Sequence, residues 1–251
     1  MDDDARRRFI LEHTTLGPAP YVPEVRLWMG GEAMPLWEAA ALADERLPVP
    51  PPYWAWPWAG GQVLARHVLD HPALVRGRRV ADVGCGGGIV AIAAALAGAS
   101  QVQAIDIEPY AIAAVALNAA ANEVTLELRE TDPIGSDDGW DVVLAGDVWY
   151  DAELADRMAP WLRRLAGRGA LVLTGDLGRA YLPADGLEEQ ARAEVPTLVD
   201  LEDVPRKLAR VLRLRDPGGP ARRAPVPPPV DTIAAGVDVA PDRSVGPPSL
   251  S

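Results

Sequence analysis

Three acids in this sequence stand at or near the point where a short apolar run stops. Asp82 lies inside "VADVGCGGGIVAIAAAL", Asp106 ends "VQAID" and Asp147 follows "WDVVLAG". Such a run reads as a buried strand, and an acid at its end projects past the sheet, where α/β proteins hold their ligands. Behind the first acid come glycines 84, 86 and 88, ahead of an alanine-rich helical stretch. Glycines between a strand and a helix let the backbone turn tightly and bring a ligand under the positive end of the helix. The spacing misses the dinucleotide pattern, because the third glycine counted from Gly84 would fall on Ile89. It is no Walker loop either, since no Gly-Lys-Ser/Thr follows. Asp82 decides the chemistry further: a carboxylate two residues before the first glycine would repel a pyrophosphate but suits a cationic ligand. S-adenosylmethionine carries an ammonium and a sulfonium. Asp106, with Ile107 beside it, then stands where a carboxylate accepts from both hydroxyls of a ribose. Asp132 in "LRETDPI" is placed to accept from an adenine amino group. Each acid taken singly reads as well as a helix cap. The glycine loop together with Asp82, Asp106 and Asp132 points to the cofactor site. Cys85 within the loop has no histidine partner in view, so a small turn residue suits it better than a nucleophile.

The third acid belongs to "GDVWYD", where Asp147 is followed by Trp149, Tyr150 and Asp151. Methyl transfer to an amine is an in-line displacement that needs a neutral nitrogen lone pair, positioned and stripped of water. A lysine arrives mostly protonated. An acid at the strand end would attract and orient the ε-ammonium, and flanking aromatics would wall a channel and face the cation. Asp147 is accordingly assigned to orienting the amine beside the cofactor, and Trp149 and Tyr150 to the channel. The other reading of Asp147 is a buried acid tied up by backbone donors. Asp151 reads as the N-cap of the following helix. Asp176 and Arg179, one strand later, are expected to shape the mouth that receives the substrate.

These residues need elements to position them. From Gly60 onward the chain alternates in the manner of βαβ units: a helix over Gln62 to Leu69, a strand over Arg79 to Val83, a helix over Ile89 to Ala97, and a strand over Gln101 to Ile105. A helix over Pro109 to Ala121 opens on proline, and strands follow over Val124 to Leu128, Asp141 to Ala145 and Ala170 to Thr174. The last two are separated by a helix over Ala152 to Leu165. The alternation predicts an α/β fold, a mostly parallel sheet with helices on both faces. "EEQARAEVPT" and "RKLARVLRLR" have no helix between them and read as an antiparallel edge hairpin. Residues 1–58 read as an N-terminal extension on this domain, with a strand in "YVPEVRLWM" and a helix in "PLWEAAALADERL" that prolines then break. Residues 59–215 form the domain itself. Residues 216–251 are dominated by proline and glycine and are expected to be disordered.

The bulk numbers exclude several classes. A chain of 251 residues, 49% hydrophobic, can build one full-sized core. No apolar run is long enough for a bilayer, and "MDDDARRRFILEH" lacks the apolar stretch of a secretory signal, so a cytoplasmic protein is expected. A net charge of −12 argues against nucleic acid, which needs a basic face, and favours cationic partners. One cysteine and three histidines without a suitably spaced third ligand give no metal site.

With these segments the chain resembles a class I S-adenosylmethionine-dependent methyltransferase, and more narrowly the lysine methyltransferases of the electron-transfer flavoprotein β subunit. The resemblance spans about residues 9–215 and rests on "PPYWAWPWAGGQVLARHVLDHP", "VADVGCGGGIVAIAAALAGA", "AIDIEPYAIAAVALNAAAN", "WDVVLAGDVWYD", "LTGDLGRAYLP" and "EVPTLVDLED". The glycine motif is only class-specific; the aromatic segment, "GDVWYD" and "GDLGRAYLP" discriminate far better. Family members usually carry proline where this chain has Leu177. The resemblance implies a Rossmann-like seven-stranded sheet with its last strand antiparallel, and it implies that Trp58, Gly60 and Gly61 lie against the cofactor. It also implies a protein substrate that presents a lysine, the flavoprotein β subunit or a ribosomal stalk protein. Two other readings stay open: a small-molecule N-methyltransferase acting on nicotinamide-like amines, with an enclosed acceptor pocket, and a protein that binds the cofactor without turnover.

Overall fold

The computed structural model describes residues 2–43, 50–197 and 202–216. The expectation of a disordered tail from 216 therefore concerns residues that, but for Asp216, lie outside the described ones.

Helix α1 (Asp3–His13) is capped by Asp2, whose side chain accepts from the Ala5 amide, and Asp3 and Asp4 complement the positive end of the helix. It leads into an antiparallel hairpin of β1 (Thr14–Ala19) and β2 (Val22–Gly30), then α2 (Ala33–Ala43). Of these four elements the sequence patterning shows β2 and α2, the expected end of the latter over residues 44–47 lying outside the described residues; α1 and β1 are additions. The main domain runs α3 (Ala59–Asp70), β3 (Arg79–Val83), α4 (Ile89–Leu96), β4 (Gln101–Asp106), α5 (Pro109–Ala121), β5 (Glu127–Glu130), β6 (Val142–Gly146), α6 (Ala152–Gly167), β7 (Leu171–Asp176), β8 (Leu187–Pro196) and β9 (Arg206–Leu214).

The main sheet has seven strands in the order β5-β4-β3-β6-β7-β9-β8. Pairing from β5 through β7 is parallel, and β9 enters antiparallel between β7 and β8. The period of two along each strand divides the core. Val80 of β3 and Val142 and Leu144 of β6 pack with Val63 and Leu64 of α3 and Ile92 of α4 on one face. Ala81, Val83, Val143 and Ala145 pack with Trp161, Leu162 and Leu165 of α6 on the other. Strands covered on both faces read as unbroken apolar runs, which is why β3, β6 and β7 are so visible in the sequence.

Two element positions differ from the expectation. The strand expected over Val124 to Leu128 begins at Glu127, because Glu123 turns with φ 56° and the Val124 amide closes the end of α5 on Ala119 O at 3.1 Å. Helix α3 starts at Ala59 rather than Gln62, taking Gly60 and Gly61 into its first turn. A Cβ on Gly60 would lie 2.4 Å from Gly175 O, so glycine there is what lets α3 rest on the end of β7.

Chain order turns back at β3: β4 lies on one side of it and β6 on the other. The carboxyl ends of β3 and β6 therefore part at a topological switch point, where α/β sheets hold ligands.

Candidate active site

The glycine loop after β3 needs its glycines. Gly84, Gly86 and Gly88 take φ of 65°, 51° and 82°, a region that side chains disfavour. Gly87 meets a different demand, since a Cβ there would lie 2.7 Å from Trp54 O. The loop is fixed from both sides. Asp106 Oδ2 accepts from the Gly86 amide at 2.9 Å, and Asn118 of α5 donates to Gly87 O at 2.8 Å. Asn118 also accepts from the Trp28 amide, which ties the loop to the N-terminal hairpin.

A small cleft, open at its mouth, lies at the switch point. Asp82, Gly84, Cys85, Gly86, Gly87, Gly146 and Asp147 line it, with Gly61 and Trp58 from the start of α3. Trp56 of the aromatic segment also lines it, and so does Leu27 of β2, which no local pattern in the sequence marks.

Asp82 is buried, with Oδ2 accepting from the Ala91 amide at 2.9 Å; burial, more than any neighbour, raises its pKa to about 7. Asp106 spends one oxygen on Gly86 and the other on the Glu108 amide at 3.0 Å. Burial raises its pKa as well. The remaining lone pairs of its two oxygens can still accept from hydroxyls. Ile107 beside it is 70% exposed, an apolar surface at the loop edge.

Asp147 joins three elements. Its backbone is left-handed, φ 56°, and its amide donates to Gly175 O at 2.9 Å. Such a conformation at a non-glycine residue is held only by its surroundings and clusters at functional sites. Oδ2 accepts from the Gly61 amide at 2.6 Å, at the positive end of α3. Oδ1 is buried and accepts no hydrogen bond, and the Arg179 guanidinium stands 3.5 Å away. Burial pushes the pKa of Asp147 up to about 6 against the opposing pull of Arg179. One oxygen is tied to backbone, as the alternative reading of this acid expects, and the other is buried beside Arg179 without a hydrogen bond.

Arg179 is braced by the Trp58 ring, 5.9 Å from its guanidinium carbon, and by Glu202 Oε1 at 3.2 Å. Glu202 is itself buried and paired with Lys207. Nothing local in the sequence announces Glu202. Asp176 is fully buried and does not line a mouth: its Oδ1 accepts from the Gly178 and Arg179 amides and shapes the turn that carries Arg179.

Two further assignments need correction. Trp149 forms no channel wall. It is fully buried among residues that pack with α6, and its Nε1 donates to Thr174 Oγ1 at 2.8 Å. A left-handed Asp147 redirects the chain, so Trp149 turns under the sheet while Tyr150 stays outside. Asp132 is exposed, accepting from the Ile134 amide and paired with Arg157, and it lies outside the cleft lining. Tyr150 also lies outside the cleft lining; it is 54% exposed, 6.0 Å from the Tyr53 ring, and its pKa is raised by burial and by the neighbouring Asp106. Asp151 caps α6 through the Leu154 amide. Among the described residues no group of three or more His, Cys, Asp or Glu is arranged to hold a metal ion, and no helix is long and apolar enough to cross a membrane.

Comparison with known proteins meets this geometry. The chain is 45% identical over 177 residues to the electron transfer flavoprotein beta subunit lysine methyltransferase of Xenopus laevis, covering 69% of this chain and 71% of that protein. It is 36% identical over 197 residues to the human protein of the same name, covering 74% and 71%. The chain belongs to the electron transfer flavoprotein β-subunit lysine methyltransferase family. Within this methyltransferase, residues 65–175 also match the family model of ribosomal protein L11 methyltransferase, PrmA. A crystal structure of a ribosomal protein L11 methylase from Lactobacillus delbrueckii subsp. bulgaricus aligns at TM-score 0.44 and 23% identity, covering 62% of this chain and 78% of that one.

Proposed function

We propose that the protein transfers methyl groups from S-adenosylmethionine to a lysine of a protein substrate, and that the substrate is the electron-transfer flavoprotein β subunit. The single observation that carries the reading is Asp147 Oδ1, a buried carboxylate oxygen without a hydrogen bond, in a residue that lines the cleft between β3 and β6. Family membership supplies the substrate class.

The residues fit the cofactor. The positive-φ glycines keep side chains out of the loop, and the buried Asp82 and the partly buried Asp106 offer carboxylates to a ligand that carries ammonium and ribose hydroxyls. The cofactor supplies an electrophilic methyl on a sulfonium. What the chain does is place the amine. Asp147 attracts the ε-ammonium and orients it, Tyr150 and Tyr53 present aromatic surface beside the loop, and the amine sheds its proton to solvent before the nitrogen is methylated. An amine that approaches past two half-exposed tyrosines comes on a protein surface more readily than from an enclosed small-molecule pocket.

The test is direct. The purified protein is incubated with tritium-labelled S-adenosylmethionine and recombinant flavoprotein β subunit, and labelled protein is digested for mass spectrometry. Label on a lysine of the β subunit supports the reading. Label on ribosomal protein L11 alone, in a parallel incubation, favours the second reading, which the match over residues 65–175 motivates. Label on neither protein overturns both.

A further inference from the structure

Three buried polar atoms without hydrogen bonds meet in one place: Asp147 Oδ1, Asp176 Oδ2 and Arg179 Nε. Burying such groups unpaired costs free energy, so their survival at one site asks for a purpose. Arg179 could remove part of this cost by closing on Asp147. It stops 3.5 Å short, without forming the hydrogen bond, and instead donates to Glu202 Oε1 at 3.2 Å. Glu202 is only 7% exposed and is fixed from behind by Lys207, the one lysine in the chain. The Trp58 ring limits the guanidinium on another side.

We propose that Glu202 is a positioning residue: it holds the Arg179 guanidinium off Asp147, so that Oδ1 stays open to accept from the substrate amine while the guanidinium charge remains beside it. The inference rests on the lysine-methylation reading for the identity of the amine. Without Glu202 the guanidinium closes on Oδ1 and becomes a competitor for the site a lysine needs. With it, a fixed positive charge stands next to the acceptor. Like charge disfavours the ammonium and favours the neutral amine that displacement requires. The groups facing Asp147 are Arg179 from the loop after β7, Asp176 at the end of β7 and the amides of Gly60 and Gly61 from α3, with Asp82 lining the same cleft. Glu202 and Lys207 stand behind Arg179.

The experiment is a four-variant cycle on the full chain: wild type, Glu202→Gln, Arg179→Gln and the double variant. Two readouts are taken. Carbon-13 labelling of aspartate follows the Asp147 carboxyl through pH, which needs no substrate. Steady-state kinetics give KM for the β subunit. Glu202→Gln should move the Asp147 midpoint downward and raise KM at least about fivefold, with cofactor affinity from calorimetry unchanged. In the Arg179→Gln background the same Glu202→Gln change should move neither quantity by more than a small amount, because the group that closes is gone. The double variant should therefore show a lower KM than Glu202→Gln alone. Equal shifts of the midpoint in both backgrounds would mean that Glu202 acts on Asp147 by its own charge, and an unmoved midpoint that it does not control Arg179; either result overturns the proposal. A wild-type protein that methylates no lysine fails the functional reading instead, and the carboxyl titration still decides whether Glu202 controls Arg179.

Discussion

Asp147 is where burial, backbone strain and charge meet. Its carboxyl carries a pKa of about 6, above the ordinary 3.8. The ionised form is the one that attracts an ammonium, so kcat/KM should fall as pH drops through about 6. Asp147→Asn keeps an acceptor for the Gly61 amide but loses the charge. Turnover should drop by about 10²-fold at neutral pH, the acidic limb of the profile should vanish and cofactor affinity should change little; normal turnover would remove Asp147 from the mechanism. Asp82 makes a second prediction, on stability. Its pKa rises from 3.8 to about 7 in the fold. Between those values the native protein holds a proton that the unfolded chain has lost, so this group's contribution falls as pH rises from about 4 to about 7. Asp82→Asn should flatten that part of the stability curve, measured as Tm against pH without cofactor. A slope equal to that of the wild type would contradict the burial argument.

At the scale of elements the site depends on how closely α3 approaches the sheet. Gly60 has no room for a side chain: a Cβ would meet Gly175 O at 2.4 Å and Asp147 Oδ2 at 2.7 Å. Gly60→Ala must therefore push α3 off β7 and stretch the bond between the Gly61 amide and Asp147. We expect a cost of about 1–3 kcal/mol in chemical denaturation, with a loss of turnover larger than that stability loss explains at temperatures where the protein is still folded. Gly31 is the control, since nothing lies within 4 Å of a Cβ there, and Gly31→Ala should leave both quantities nearly unchanged. The same scale explains Trp149. A tryptophan two residues past a strand-end acid reads as channel lining when side chains are counted along a straight strand. Strand geometry ends at Gly146, however, and the left-handed Asp147 sends the next residues elsewhere. The Trp149 indole then finds its partner in Thr174, which passes the chain of hydrogen bonds to Ala145 O.

The whole molecule carries a net charge of −12. A field of that sign speeds the encounter with a partner that presents lysine on a basic patch, and added salt screens it over about 10 Å at 0.1 M. KM for the β subunit should therefore rise between 50 mM and 300 mM salt, with kcat far less affected. A KM that is flat across that range would show that the acidic surface plays no part in substrate capture.

Much was legible before any coordinates. Strands β3, β6 and β7 are covered on both faces and therefore appear as apolar runs; Pro109 marks the start of α5, and Asp151 caps α6. These signals are local: a period, a breaker, a cap. The glycine loop with Asp82 and Asp106 is local too, because one turn and two adjacent strand ends make it. The α/β sheet, the glycine loop and the strand-end acid that lines the cleft were therefore legible from local signals. The sequence by itself missed α1 and β1, and it placed Trp149 and Asp132 at the site. Only the tertiary structure decided what surrounds Asp147. The Gly61 amide, 86 residues upstream, and Arg179, held by Glu202 from the connection between β8 and β9, reach it through the packing of α3 and the entry of β9 beside β7. Contacts between residues so far apart in the chain leave no period, spacing or composition for a local reading to detect, because they are set by how closely elements pack rather than by what each element is.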